Sequence, residues 1–194
     1  MFVDCTFSCI PKGFKQLLIV MIYTAATGNK VRYLKIYLER VSKNLQLIFM
    51  LIVRTGMYVP IYYVLLQNKS ESTYEYAIQA CVSASDGKMQ ATTYISDFEQ
   101  AIMTTMKTEF PGAVAVGCLF HWKQAIKRKL GEFHIPKALI RLLIGSDGVM
   151  NILTVIPVEE IIPKGIPYCR CGFDESSHKG QFGAFWDYFV KTWK

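Results

Sequence analysis

Residues 90–130 read QATTYISDFEQAIMTTMKTEFPGAVAVGCLFHWKQAIKRKL, and the way this stretch changes period decides the fold. Residues 90–96 have the character of a strand, residues 97–110 of a helix, residues 113–120 (AVAVGCLF) of a second strand, and residues 121–130 of a basic helix. A strand and helix in regular alternation belongs to an α/β sheet covered by helices.

On the N-terminal side, residues 2–7 (FVDCTF) alternate apolar and small polar side chains, as a strand does. Pro11-Lys12-Gly13 makes a turn, residues 14–26 are rich in Leu, Ile and Val, and Thr27-Gly28-Asn29-Lys30 turns again. Residues 57–66 (MYVPIYYVLL) form a third β-rich run, and a helical pattern follows over residues 70–84, with Ser70 and Thr73 spaced like helix-start residues. The order is β-β-β-α-β-α-β-α, which is that of the RNase H-like fold, a mixed sheet flanked by helices. Residues 1–130 are therefore expected to form this core, and residues 131–194 a helical C-terminal part ending in the aromatic helix FGAFWDYFVKTW over residues 182–193.

Residues 31–56 do not fit this plan, because they lengthen what should be a short connection between the second and third strands. Tyr33, Ile36, Tyr37 and Arg40 have helical spacing, which reads as a helical elaboration. Translation of a retained intron, beginning with Val31-Arg32, is an equal alternative.

The length of 194 residues and an apolar content of 52% suit a buried core and argue against disorder. A formal charge of +7 favours a polyanionic partner, since Lys and Arg that neutralise phosphates release counterions. The six cysteines form no even framework, which fits a reducing compartment. The apolar runs at residues 17–26 and 45–53 fall short of the roughly 20 residues needed to span a bilayer, so no membrane is expected.

Asp4 lies in the first strand and Asp97 at the end of the fourth; in the proposed order those strands are neighbours. Two carboxylates converging at strand ends suit a hard divalent ion, Mg²⁺ or Mn²⁺, which keeps coordination positions open for phosphate oxygens and water. Paired ions of this kind serve in-line phosphoryl displacement. Each aspartate alone has a plainer reading: Ser96-Asp97-Phe98-Glu99 also suits a helix cap.

Several ordered blocks then carry a family resemblance. Asp4-Cys5-Thr6-Phe7, followed by Pro11-Lys12-Gly13-Phe14-Lys15-Gln16-Leu17-Leu18, resembles the opening of Mutator-like (MULE) transposase domains, where an Asp-Gly-Thr-Phe element holds the first catalytic aspartate. Residues 60–66, residues 69–74 and Ser96-Asp97-Phe98-Glu99-Gln100-Ala101 resemble its next blocks, the last with the second aspartate, and Gly117-Cys118-Leu119-Phe120-His121-Trp122 matches its Cys-x-x-His element. The resemblance implies a DDE-type transposase acting in the nucleus on transposon ends and target DNA, as a homo-oligomer. Asp4 and Asp97 would be its catalytic metal ligands. Cys5 stands where the family has glycine. The third acid of the family follows the aromatic helix, and here the chain stops at Lys194 after Tyr188-Phe189-Val190-Lys191-Thr192-Trp193. An incomplete or inactive copy is the expectation, with a non-catalytic, domesticated DNA-binding module as the alternative.

Cys118 and His121 also suit half of a zinc site, with Cys169, Cys171 and His178 as the other half, although the Cys-x-Cys spacing is not a standard knuckle. Core packing of Cys118 and a place at a helix start for His121 are the plainer assignment. Lys123, Lys127, Arg128 and Lys129 form a basic helical stretch that suits the DNA backbone, for positioning rather than base reading; a solvated helix face explains the same charges.

Overall fold

The computed structural model describes residues 1–6, 10–24, 36–42, 45–50, 57–173 and 177–193, with residues 24, 36–42, 45–50 and 57–59 described by their backbone. Two compact units divide the chain, Met1–Cys118 and Leu119–Lys194.

The first unit is a seven-stranded mixed sheet with two helices. Its strands are β1 (Phe2–Thr6), β2 (Gln16–Thr24), β3 (Ile36–Ser42), β4 (Leu45–Met50), β5 (Met57–Leu66), β6 (Thr93–Ser96) and β7 (Val114–Gly117), in the order β3-β4-β5-β2-β1-β6-β7. Strands β3, β4, β5, β2 and β1 pair antiparallel in succession, and β1–β6 and β6–β7 pair parallel. The two parallel joints follow from the connections: a helix carries the chain back before β6 and again before β7, as a parallel pair requires.

The stretch set apart at residues 31–56 is neither a helix nor a detached loop where it is described. Ile36–Ser42 and Leu45–Met50 form an antiparallel hairpin, and β4 pairs along β5 from Leu45 opposite Leu66 to Phe49 opposite Tyr62. The helical spacing of Ile36, Tyr37 and Arg40 is overridden because β5 offers a free edge whose N–H and C=O groups need partners. Tyr33 and the rest of residues 31–35 and 51–56 lie outside the described residues.

Helices α1 (Glu71–Ala84) and α2 (Gln100–Glu109) cover one face of this sheet. Ser70 caps α1, its side chain accepting the Thr73 N–H. Tyr74, Ala77, Ile78 and Cys81 recur at helical spacing and are fully buried against Val3, Cys5, Leu18 and Val20, the inward residues of β1 and β2. The alternation anticipated over residues 2–7 is visible in β1, where Val3 and Cys5 turn to the core while Phe2, Asp4 and Thr6 remain partly exposed. Helix α2 starts three residues later than expected, so Asp97 lies between β6 and the helix, and Glu99 occupies the cap position without a side-chain cap bond.

The second unit is helical: α3 (Leu119–Glu132), α4 (Lys137–Ile144), a 3₁₀ segment Val149–Thr154, α5 (Val158–Glu160) continuing through a π-type turn at Ile161–Gly165 into α6 (Ile166–Arg170), and α7 (Lys179–Thr192). The boundary expected after residue 130 thus falls at 118/119, because Ile126 and Leu130 of α3 are buried in the same core as Phe182, Phe185, Trp186 and Phe189 of α7. No single helix among the described residues is long and apolar enough to cross a membrane. One pair of segments, Lys137–Thr154 and Val158–Arg170, passes by length and composition but is bent by 108°. Leu143, Ile144, Met150, Leu153 and Ile166 of that pair are core residues, which accounts for its apolar content.

Candidate functional site

Strands β1 and β6 run parallel with Phe2 opposite Ile95, held by the Ile95 N–H donating to the Met1 carbonyl at 2.9 Å. Asp4 lies two residues further along β1, and Asp97 directly follows β6, which ends at Ser96. Strand periodicity places Asp4 on the side opposite Val3 and Cys5 in β1. Each carboxylate is fixed locally. Asp4 Oδ1 accepts the Cys5 N–H at 2.9 Å, and Asp97 Oδ1 accepts the Glu99 N–H at 3.2 Å. The latter is the backbone role foreseen for an aspartate entering a helix, performed just ahead of α2.

Cys5 reports the electrostatics of this edge. Its thiol is pushed up to about 12, first by burial, then by the charge of Asp97, with further contributions from Glu99 and Asp4; the hydrogen bond to Tyr74 opposes the rise. Three carboxylates therefore act on one buried thiol. Glu99 is the member that sequence reasoning assigned only to a cap, and its placement depends on a contact with Tyr74, 25 residues away in the chain. Tyr74, on α1, donates to Glu99 Oε1 at 3.1 Å, accepts from Gln16 Nε2, and lies 3.9 Å from Cys5 Sγ. Lys69 stands 3.6 Å from Glu99 Oε2. Gln16 is completely buried at the start of β2, and its Oε1 has no hydrogen-bond partner. The signal for this network was a glutamine on the inward face of an otherwise apolar strand, in register with Leu18 and Val20.

Asp97 also borders a cleft of about 500 Å³ between α2 and the ends of β6 and β7. Phe98 crosses it beside Gly117, where a Cβ would run into the Phe98 ring.

The remaining candidates are dispersed. Cys118 is buried and closes the first unit, whereas His121 belongs to α3 in the second. Cys169 is buried and donates to the Val149 carbonyl at 3.5 Å, while Cys171 is exposed. Among the described residues no three or more His, Cys, Asp or Glu side chains gather in a way that could hold a metal ion. On α3, Lys127 and Arg128 are exposed and Lys123 is partly so. Lys129 is engaged within its own unit, 2.8 Å from Glu132 and over the rings of Phe133 and Tyr188 at 5.3 and 4.8 Å. That cation is already shared between a carboxylate and two aromatic faces, which weakens it as a phosphate contact.

The thiols yield a chemical check. At pH 8, iodoacetamide is expected to label Cys171 in the folded protein, and Cys5, Cys81 and Cys169 only after denaturation, as mapped by peptide mass; rapid labelling of Cys5 would contradict its burial. Burial also pushes Cys81 up to about 12. Above the ordinary thiol value of 9.0 the unfolded chain releases these protons first, so their contribution to stability falls as pH rises from there towards about 12.

Fold and site together define a mixed α/β domain with an acidic edge between two parallel strands. Residues 36–125 match the family model of the MULE transposase domain, a transposase family, so the resemblance carried by the sequence blocks is supported over that segment. The matched segment runs from the start of β3 into α3 and includes Asp97, Cys118 and His121; Asp4 precedes it. No curated protein and no solved structure matches the chain.

Proposed function

We propose that this chain carries the RNase H-like core of a MULE-type transposase, with Asp4 and Asp97 as the carboxylates that hold Mg²⁺ or Mn²⁺ for DNA strand cleavage and transfer. The observation that supports this is the parallel pairing of β1 with β6: Asp4 lies on β1, and Asp97 directly follows the end of β6. The order β5-β2-β1-β6-β7, three antiparallel strands followed by two parallel ones, supports the fold assignment, with β3 and β4 as an added hairpin at one edge.

The donor set fits a hard ion: two carboxylates are what Mg²⁺ takes when it keeps its other positions for water and phosphate. The neighbouring Cys5, protonated at neutral pH, offers no competing thiolate. When bound, the divalent ion activates a nucleophilic oxygen and stabilises the leaving oxygen of an in-line displacement. The protein's own share is to anchor Asp4 and Asp97 through the Cys5 and Glu99 N–H groups, and to restrain Glu99 beside them through Tyr74 and Lys69. Lys123, Lys127 and Arg128 of α3 supply backbone contacts to DNA. The setting is the nucleus, with transposon ends and target DNA as partners and a homo-oligomer as the working assembly.

A second reading, a non-catalytic DNA-binding derivative, is favoured by one observation: among the described residues no third ligand joins the two aspartates in a metal-holding group. Isothermal titration with Mn²⁺ and nicking of supercoiled DNA separate the two. Asp4→Asn and Asp97→Asn are each expected to weaken Mn²⁺ about tenfold through loss of one charged ligand, and to remove any nicking. Mn²⁺ binding that is unchanged in both variants would refute the metal assignment; binding without nicking would favour the derivative.

A further inference from the structure

The cleft beside Asp97 is built from side chains that two-carboxylate chemistry does not require. Helix α2 turns one stripe towards it, with Gln100, Met103, Thr104 and Lys107 at positions three and four apart, while Ile102, Thr105 and Met106 on the other side are buried. Its opposite wall is β7, the edge strand of the sheet, all four of whose residues are exposed. Large apolar side chains stay in water around this cleft: Phe98 is 39% exposed, Met103 38% and Val116 41%. Apolar side chains grouped around one concavity mark a binding surface rather than a scatter of surface residues. The bare glycine at 117 lets the Phe98 ring lie against the strand, so the ring is supported from behind.

We infer that this cleft takes an unpaired nucleotide of a DNA strand, its base against Phe98 and Met103 and its phosphate at Lys107. The inference rests on the transposase reading and names the part of the substrate that this site holds next to the acidic edge. Three features select a nucleotide over a purely apolar occupant. The volume of about 500 Å³ is of the order of a small-ligand site. The wall mixes an aromatic ring with hydroxyl, amide and ammonium groups, the combination that stacks a base while holding its backbone. Lys107, the cation among the residues that line the cleft, complements phosphate. A single strand is specified because a base must leave its duplex stack to lie against an aromatic side chain in a cleft of this size.

Fluorescence anisotropy of the full chain with a labelled oligothymidine, and separately with a duplex of equal length, tests this in EDTA. Phe98→Ala and Phe98→Leu are expected to weaken the single strand about tenfold and to leave the duplex unchanged, while Phe98→Trp retains single-strand binding. Lys107→Gln is expected to weaken the single strand and lower its salt dependence by about one unit of slope. Wild-type affinity in both Phe98→Ala and Phe98→Leu, or an equal loss on single strand and duplex, would overturn the inference. Because no metal is present, the outcome is independent of the cleavage test: strand binding without nicking removes the metal chemistry and keeps the cleft, and nicking without a Phe98 effect does the reverse.

Discussion

Tyr74→Phe is expected to lower the free energy of unfolding by about 2–3 kcal/mol, although it removes a single oxygen atom. The hydroxyl links three groups of different origin: it accepts from Gln16 on β2, donates to Glu99 ahead of α2, and touches the Cys5 thiol on β1. Gln16 is fully buried and its Oε1 already lacks a partner, so losing the Tyr74 contact leaves a whole amide desolvated in the core. A buried group stranded this way costs about 1–3 kcal/mol, and Glu99 loses a donor at the same time. Phe fills the same space, so no cavity enters the balance. Urea denaturation measures the effect, and a double-mutant cycle apportions it: adding Gln16→Leu to Tyr74→Phe should recover much of the loss, because an apolar pair of similar shape strands nothing. Additive single losses, or a Tyr74→Phe variant as stable as the parent, would show that the network holds nothing together. The hydroxyl itself stays protonated, since burial first and the nearby Cys5 second push the Tyr74 phenol far above its usual range.

Trp186→Ala is expected to cost more, about 3–5 kcal/mol, and to act on the helical unit. Trp186 is 1% exposed and sits in an aromatic cluster, with ring centroids 5.0 Å from Phe185 and 5.6 Å from Phe189. Removing the indole opens a cavity among Phe182, Phe185 and Phe189 that rigid rings close poorly, and loses the edge-on ring contacts as well. Trp186 Nε1 has no hydrogen-bond partner although it is buried. Trp186→Phe should therefore cost distinctly less than Trp186→Ala, because it deletes an unsatisfied N–H along with part of the volume. Equal losses in the two variants, measured as shifts of the urea midpoint at constant slope, would mean that packing volume is not what the tryptophan contributes.

Local chemistry made much of this molecule legible. Residues 2–6 alternate, Ser70 precedes a run with apolar residues at helical spacing, and Phe182, Phe185, Trp186 and Phe189 recur at helical spacing; these patterns became the strand Phe2–Thr6 and the helices Glu71–Ala84 and Lys179–Thr192. Such patterns are readable because a helix or strand with one buried face repeats its apolar residues at its own period. The neighbouring positions of β1 and β6 were legible for a related reason, since they follow from the strand order; Asp4 lies on β1 and Asp97 directly follows β6.

Other features depended on contacts distant in the chain. The helical spacing at Ile36, Tyr37 and Arg40 lost to pairing along β4 and β5, since hydrogen bonds to a sheet edge are supplied by another strand and leave no mark on the segment's own period. Glu99 read as a cap residue, and its place beside Asp4 and Asp97 comes from Tyr74 on a different helix. Lys129 read as one of four equivalent basic residues until Phe133, Tyr188 and Glu132 took up its charge. By itself, the amino-acid sequence determined where most of the described strands and helices form and that β1 and β6 are neighbours, because these follow from local periodicity and strand order. Only the tertiary structure decided which side chains surround those carboxylates and which cleft opens beside them, because burial, register and hydrogen bonding between distant segments set the environment of each charged group.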